Sequence, residues 1–315
     1  MITLHSPGLK FTTETVIVMR MNENCKACLL GRNFSKYPSG ATEESIKEYQ
    51  NALERIIDEN KMKSAPEVVE HIKKARCEYF GIKEEFSDVK RHFNSLMLSY
   101  EDELKKRVFA SADPVKCAVQ YAMAGNFIDF GAFPDVQDDK LKEFLEAADK
   151  ASVDGKVLCE LKEELCKAKR LVYFTDNCGE IVADKIFLEV IKSIYPHIHT
   201  TAIVRGEPVL NDATLDDAKD VGLDKAVSKL IDNGCGIAGN VVQRLKPEAL
   251  EEVQNADVLV SKGQGNFESL GGCKLNIYYI FMCKCELFTK RFNVPLYSGM
   301  LVREKDLEKY IGNFI

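Results

Sequence analysis

Residues 170–194 read RLVYFTDNCGEIVADKIFLEVIKSI. Leu171 to Thr175 is a short apolar run of the length and composition of one buried strand. A polar loop follows, and from Glu180 to Ile194 the pattern turns helical. The same rhythm returns downstream. Thr200 to Val204 is a second apolar run, followed by a loop and a helical segment from about Asp212. Asp257 to Ser261 is a third, with a Gly-rich loop behind it, Ile277 to Cys283 is a fourth, and residues 226–231 supply a further strand. Short buried strands alternating with helices predict an α/β fold, a mostly parallel sheet flanked by helices.

Working outward, residues 43–106 lack this rhythm. Ile46, Tyr49, Leu53 and Ile56 fall at spacings of three and four, and Val68, Val69 and Ile72 begin a second such stripe. Ser64-Ala65-Pro66-Glu67 is the start signal of that second helix, with a cap followed by Pro and Glu in the first turn. Asp113-Pro114 opens another helix, lined by Val115, Val119 and Met123 and ended by Gly125. The segment Asn126-Phe127-Ile128-Asp129 after it reads as a packed turn or as the wall of a site. The expected organisation is an extension over 1–21, a helical subdomain over 22–110 and an α/β core over 111–315. Met19 or Met21 is a candidate start, and the extension is kept out of the functional reading.

With 315 residues, 45% of them hydrophobic and 29% charged, the composition is that of an ordinary globular protein. A net charge of -6 gives no global attraction to nucleic acid or anionic lipid, so any anionic ligand must be captured locally. The eleven cysteines are scattered and odd in number and follow no secretory leader, which favours reduced thiols in the cytoplasm over a disulfide framework. Apolar stretches such as Ile277 to Cys283 are far too short to span a bilayer. No membrane or nucleic-acid partner is expected.

Ligands of open α/β sheets sit beyond the carboxyl ends of the strands. That rule selects three loops: Thr175 to Glu180, Arg205 to Asp212, and Ser261 to Glu268. Together they hold carboxylates, amide oxygens, one arginine, one lysine and several glycines. This inventory suits a hard divalent cation with a phosphate. Asp176, Asn177 and Asp212 offer the oxygen ligands, and Arg205 and Lys262 offer charge for phosphate oxygens. Gly263 and Gly265 allow backbone N–H groups close to an anion. Taken singly, Asp-Asn before a helix is an ordinary cap and Gly-Glu-Pro an ordinary turn. The combination after three successive strands is the signal.

The ordered set Asp176-Asn177-x-Gly179-Glu180, Arg205-Gly206-x-Pro208 with Asn211-Asp212, and Lys262-Gly263-Gln264-Gly265-Asn266-Phe267-Glu268 resembles the DUF89 family of damage-control phosphatases. Gly125-Asn126-x-Ile128-Asp129 and Cys25-x-x-Cys28 resemble its prokaryotic-type branch, and the likeness runs from about residue 22 to the end. It implies an ARMT1-like fold and a phosphatase using Mn²⁺, Co²⁺, Ni²⁺ or Mg²⁺ on small phosphorylated metabolites, such as sugar phosphates or damaged cofactor precursors. Asp176, Asn177 and Asp212 become metal ligands. Arg205, Lys262 and Gly263 become phosphate contacts, and Asn126 and Asp129 become pocket residues. Asp176, Glu180 and Lys262 are the catalytic candidates, with a carboxylate either orienting water or attacking phosphorus.

Other motifs compete. Some DUF89 relatives have been described as S-adenosylmethionine-dependent carboxyl methyltransferases. Gly234-x-Gly236-x-x-Gly239 matches a dinucleotide fingerprint, which needs a strand before it and a long helix opening within it, yet Pro247 lies only eight residues beyond. Cys25-x-x-Cys28 lacks the two further ligands of a structural zinc site and reads first as thiols packed at a helix start. Cys178 either touches the site or fills space beneath it. The five histidines fall outside the three loops, and no GxSxG or P-loop motif is present.

Overall fold

The structure, a computed structural model, describes residues 19–82, 85–128 and 138–308. Residues 1–18 of the expected extension and the pocket candidate Asp129 lie outside them. Three helices come first: α1 (Glu23–Asn33), α2 (Glu43–Glu59) and α3 (Ala65–Phe80). They share a small apolar cluster in which Leu29 meets Tyr49, Leu53 and Ile57 of α2 and Val68 and Ile72 of α3. The start of α3 follows the Ser-Ala-Pro-Glu signal, for the Ser64 N–H donates to Glu67 at 2.9 Å and Pro66 occupies the first turn.

Helices α4 (Ser87–Ala110), α5 (Pro114–Gly125), α6 (Asp138–Ala147) and α7 (Gly155–Leu165) lead into the sheet. Then come β1 (Arg170–Phe174), α8 (Glu180–Ile194), β2 (His199–Val204), α9 (Leu215–Asp220), α10 (Leu223–Ala226) and β3 (Lys229–Asp232). The chain continues through α11 (Pro247–Gln254), β4 (Val258–Lys262), α12 (Gln264–Leu270), β5 (Ile277–Met282), α13 (Glu286–Phe292) and β6 (Gly299–Arg303). The strand order is β3-β2-β1-β4-β5-β6, parallel except where β6 runs antiparallel to β5.

Both faces of the sheet are covered, which is why its strands read as continuous apolar runs rather than as alternations. Leu171 and Tyr173 of β1 join the cluster under α5 and α8, and Val172 and Phe174 join the opposite cluster with α11, α12 and α13. Two local expectations shift. The helix expected from about Asp212 begins at Leu215, because the Thr214 N–H donates to Asp217 at 2.9 Å and Thr214 becomes the cap. Strand β6 escaped the sequence reading because its pairing with β5 is set after α13 folds back, not by a local pattern.

Candidate active site

Strand order makes the site. β1 leads to β2 on one side, whereas β4 leads to β5 on the other, so the chain diverges between β1 and β4 and leaves a crevice at their carboxyl ends. In register, Phe174 sits opposite Ile203 and Ser261. Two residues beyond these three stand Asp176, Arg205 and Gly263, brought to one level of the sheet by pairing alone.

The first two loops are then stitched by backbone hydrogen bonds. The Ala213 N–H donates to the Asp176 carbonyl at 2.8 Å, and the Cys178 N–H to Asn211 at 2.8 Å. This places Asn177 opposite Asp212. Arg205 crosses between the carboxylates: Nε donates to Asp212 Oδ2 at 2.6 Å and an Nη to Asp176 Oδ1 at 3.3 Å. The guanidinium is buried, so each bond acts where water competes little.

Behind this pair lies a second buried group. The Asn177 amide donates to Asp176 at 2.8 Å and to Glu180 at 3.0 Å. Asn126, the residue that ends α5, donates to the same two carboxylates at 3.2 and 2.8 Å and accepts from the Met282 N–H at 2.9 Å. The Asn126 turn is thus packed and also touches the site. Lys262, fully buried, pairs with Glu180 and, at 2.8 Å, with Asp184. The Tyr173 hydroxyl completes the group by donating to Asp184 at 2.8 Å. Burial pushes the Asp184 carboxyl up to about 6, against the pull of Lys262. Burial likewise holds the Tyr173 phenol well above its ordinary value.

Two glycines set the close contacts. Gly179 has φ +81, and a side chain there would meet Ile128 at 2.8 Å and Phe93 at 2.9 Å, so α4 and the Asn126 turn fix the start of α8. Gly263 has φ +85, and an added Cβ would stand 1.9 Å from Asp176 Oδ2. Its N–H donates within the sheet to the Ile280 carbonyl at 3.0 Å, so the close approach it permits is by the Asp176 carboxylate.

A cavity of about 490 Å³ opens above this arrangement, with Asp176, Asn177, Asp212 and Gln264 in its lining. Arg205, Lys262, Glu180 and Asn126 are not among its lining residues. Of the residues singled out from the loops, the proposed metal set faces the cavity, while the two cations and Glu180 stand behind it in ion pairs. Asp184 and Tyr173 were not singled out from sequence, and Asn266 was quoted there within the third loop's motif with no role assigned to it. Asp184 lies one helical turn beyond Glu180, and that i, i+4 spacing was the available signal.

The Gly234 to Gly239 stretch follows β3, as a dinucleotide site requires, but no helix opens within it; the chain turns through residues 242–244 and α11 begins at Pro247. Its neighbours carry a structural chain instead. Asn233 donates to Asn240 at 2.9 Å, Asn240 to Asn266 at 2.8 Å, and Asn266 to the Thr175 carbonyl at 3.0 Å, tying the ends of β3, β4 and β1 together. All eleven cysteines are free. Cys25 and Cys28 lie on α1 in the cavity wall, whereas Cys178 is buried outside the lining.

Asp176, Asn177 and Asp212 form an all-oxygen donor set, and the network around them joins four buried carboxylates to two buried cations. A divalent cation would balance that surplus, so the residues fit one. Among the described residues no three His, Cys, Asp or Glu side chains group to hold an ion by themselves. An ion held by two carboxylates and one amide would need further oxygen ligands from elsewhere, as hard oxygen-ligand cations commonly take from water.

A doubly wound α/β protein with an oxygen-rich site at its switch point is the class that fold and site define. Residues 21–300 match the family model described as the damage-control phosphatase ARMT1-like domain, and the chain belongs to that family. It is 32% identical over 226 residues to an uncharacterised protein of Methanocaldococcus jannaschii, covering 69% of this chain and 73% of that one. It is 30% identical over 274 residues to a protein of Archaeoglobus fulgidus named damage-control phosphatase, covering 85% and 93% of the two chains. The crystal structure of a DUF89 family protein from Pyrococcus horikoshii superposes with a TM-score of 0.73 at 25% identity, covering 90% of this chain and 99% of that one.

Proposed function

We propose that this protein is a metal-dependent phosphatase that hydrolyses small phosphorylated metabolites, sugar phosphates or damaged cofactor precursors among them. The observation that carries the reading is the convergence of Asp176, Asn177 and Asp212 on the cavity lining, with Arg205 forked across both carboxylates behind them. Membership of the family and the name of the Archaeoglobus relative support the same reading.

In this reading Asp176, Asn177 and Asp212 hold a divalent ion, of which Mn²⁺, Co²⁺, Ni²⁺ and Mg²⁺ are candidates. When bound, it supplies charge neutralisation at the phosphate and lowers the cost of the developing negative charge. The chain's own residues do the rest. Arg205 keeps the two aspartates at a fixed separation, and Asn126 and Asn177 orient Asp176 toward the cavity. Lys262 pairs with both Glu180 and Asp184, so Glu180 and the Asn126 and Asn177 amides that it accepts from form a fixed support behind the crevice. Either water attacks phosphorus and its proton passes to the departing alcohol as the ester P–O bond breaks, or the Asp176 carboxylate attacks and the alcohol leaves with a proton from solvent. In the second case water then hydrolyses the aspartyl phosphate to release inorganic phosphate and the free carboxylate. Arg205 and Lys262 act in this scheme chiefly through the carboxylates they hold, as their burial and pairing favour.

The test is hydrolysis of a generic aryl phosphate and a set of sugar and cofactor phosphates across a panel of divalent metals, with a chelator control. Activity that needs metal and disappears in Asp176→Ala is the expected result. Retained metal-dependent turnover in that variant would sink the assignment. If no ester is hydrolysed, methyl transfer from S-adenosylmethionine becomes the assay of choice.

A further inference from the structure

The turn that delivers Asp212 holds an unusual residue. The Asp212 N–H donates to the Val209 carbonyl at 3.1 Å, closing Val209-Leu210-Asn211-Asp212, and within this turn Leu210 has φ +48. That left-handed backbone costs glycine little and asparagine less than leucine, whose Cβ crowds the following carbonyl. The turn is anchored around it. Val209, Asn211 and Asp212 are buried, and the Asn211 carbonyl accepts from the Cys178 N–H at 2.8 Å. Leu210 is half-buried and lines the cavity, two residues from Asp212. Side chains held against a backbone cost concentrate where a ligand uses them. Met21, Pro66, Val69 and Leu287 line the same cavity, so Leu210 adds to an apolar share of its wall. Pro66 brings that share near the metal end. Its Cγ lies 3.8 Å from where a side chain on Gly265 would begin, two residues beyond the Gly263 that abuts Asp176. Polar groups of the lining are engaged in part with one another, for Gln264 donates to Glu268 at 2.8 Å and accepts from the Lys284 N–H at 2.9 Å.

Resting on the phosphatase reading, we propose that the alcohol released from the scissile ester is apolar where it meets the enzyme, an alkyl or aryl group rather than a polyol, and that Leu210 selects it. With the phosphate at Asp176 and Asp212, the first carbons of the ester lie beside Leu210, because the same turn carries both residues. A methylene there leaves water for apolar surface, which favours binding. A hydroxyl in the same place gives up its water without gaining a partner from leucine, which disfavours it. A cavity of about 490 Å³ has room for a carbon body well beyond the phosphate.

Matched pairs of primary esters decide this. Propyl phosphate against glycerol 3-phosphate, and hexyl phosphate against sorbitol 6-phosphate, change hydroxyls for hydrogens at constant charge and chain length. At about a fourfold gain per buried methylene, kcat/KM for hexyl phosphate with the best metal present is expected to exceed that for sorbitol 6-phosphate by about tenfold or more. Leu210→Asn suits the left-handed turn, so Tm should not fall, while the hexyl-to-sorbitol ratio should drop by about threefold or more through the KM of the hexyl ester. Leu210→Met keeps apolar surface and should keep the ratio. If Leu210→Asn does not fold, Leu210→Gly takes its place with the same expectation. A ratio near or below one in the unmodified protein, a ratio untouched by Leu210→Asn, or one lost equally in Leu210→Met overturns the proposal while leaving phosphatase activity standing. Calorimetric binding of the same four esters covers the remaining case. If none is hydrolysed, tighter binding of the alkyl members that is lost in Leu210→Asn upholds the apolar selection and not the reaction, and equal or undetectable binding within both pairs refutes it.

Discussion

Gly263 faces the carboxylate of Asp176 so closely that a methyl group on its α-carbon would stand 1.9 Å from Oδ2. The two residues are far apart in the chain and meet because β1 and β4 are neighbours in register. Gly263→Ala must therefore displace Asp176 and also strain a backbone at φ +85. The expected cost is about 1–3 kcal/mol in stability, with a loss of phosphatase activity larger than that destabilisation accounts for. Denaturant unfolding beside kcat/KM separates the two. Activity equal to the unmodified protein would show that the Asp176 position is not critical.

Asn126 orients Asp176 and Glu180 without lining the cavity. Asn126→Leu keeps the volume and removes both donated bonds. Activity or metal affinity should fall about 10–100-fold, the usual loss when a partner that orients a ligand is removed. Metal titration of the variant measures it, and an unchanged affinity together with unchanged turnover would contradict the positioning role.

Lys262 pairs with both Glu180 and Asp184, and all three side chains are fully buried. Lys262→Met leaves two carboxylates facing each other in the core. Stability should drop by about 3–5 kcal/mol. Adding Glu180→Gln and Asp184→Asn to that variant should recover part of the loss, because the uncompensated charges are then gone. Chemical denaturation of the single and triple variants gives the comparison, and a triple variant no more stable than the single one would count against this account.

Asp184 holds its proton more tightly folded, at about 6, than at its ordinary value of 3.8. Its contribution to stability is full below about pH 4 and is lost as pH rises through about 6, because the folded state binds more protons in that window. Other carboxylates vary with pH as well, so the informative quantity is the difference between the unmodified protein and Asp184→Asn. That difference should decline from pH 4 to pH 6.5 and then level off. A flat difference would mean that Asp184 does not titrate in this range.

A divalent ion bound at Asp176, Asn177 and Asp212 should stabilise the fold by mass action. At a hundredfold excess over Kd the gain is about 2.7 kcal/mol, readable as a rise in Tm. The rise should be absent in Asp176→Asn and reversed by chelator. An equal rise in both proteins would move the ion elsewhere.

Much of the core was legible before folding was considered. The apolar runs at 171–175, 200–204 and 257–261 are strands because both faces of the sheet are buried, and the helix from Glu180 to Ile194 matches its observed bounds. The loops after those strands could be named as candidates because strand-end chemistry is concentrated in short contiguous segments. Tertiary structure decided which members of each loop face a ligand. Sequence alone treats Lys262 and Asp176 alike, as charged groups beside strand ends. The register of β1 with β2 and β4 sets Asp176 and Arg205 at one level, and α8 carries Glu180 and Asp184 across to capture Lys262. The cavity wall was likewise invisible, since nothing local to α1 or α13 tells where those helices pack. Side-chain type is written in the chain, but the direction a buried charge faces depends on distant residues that close around it.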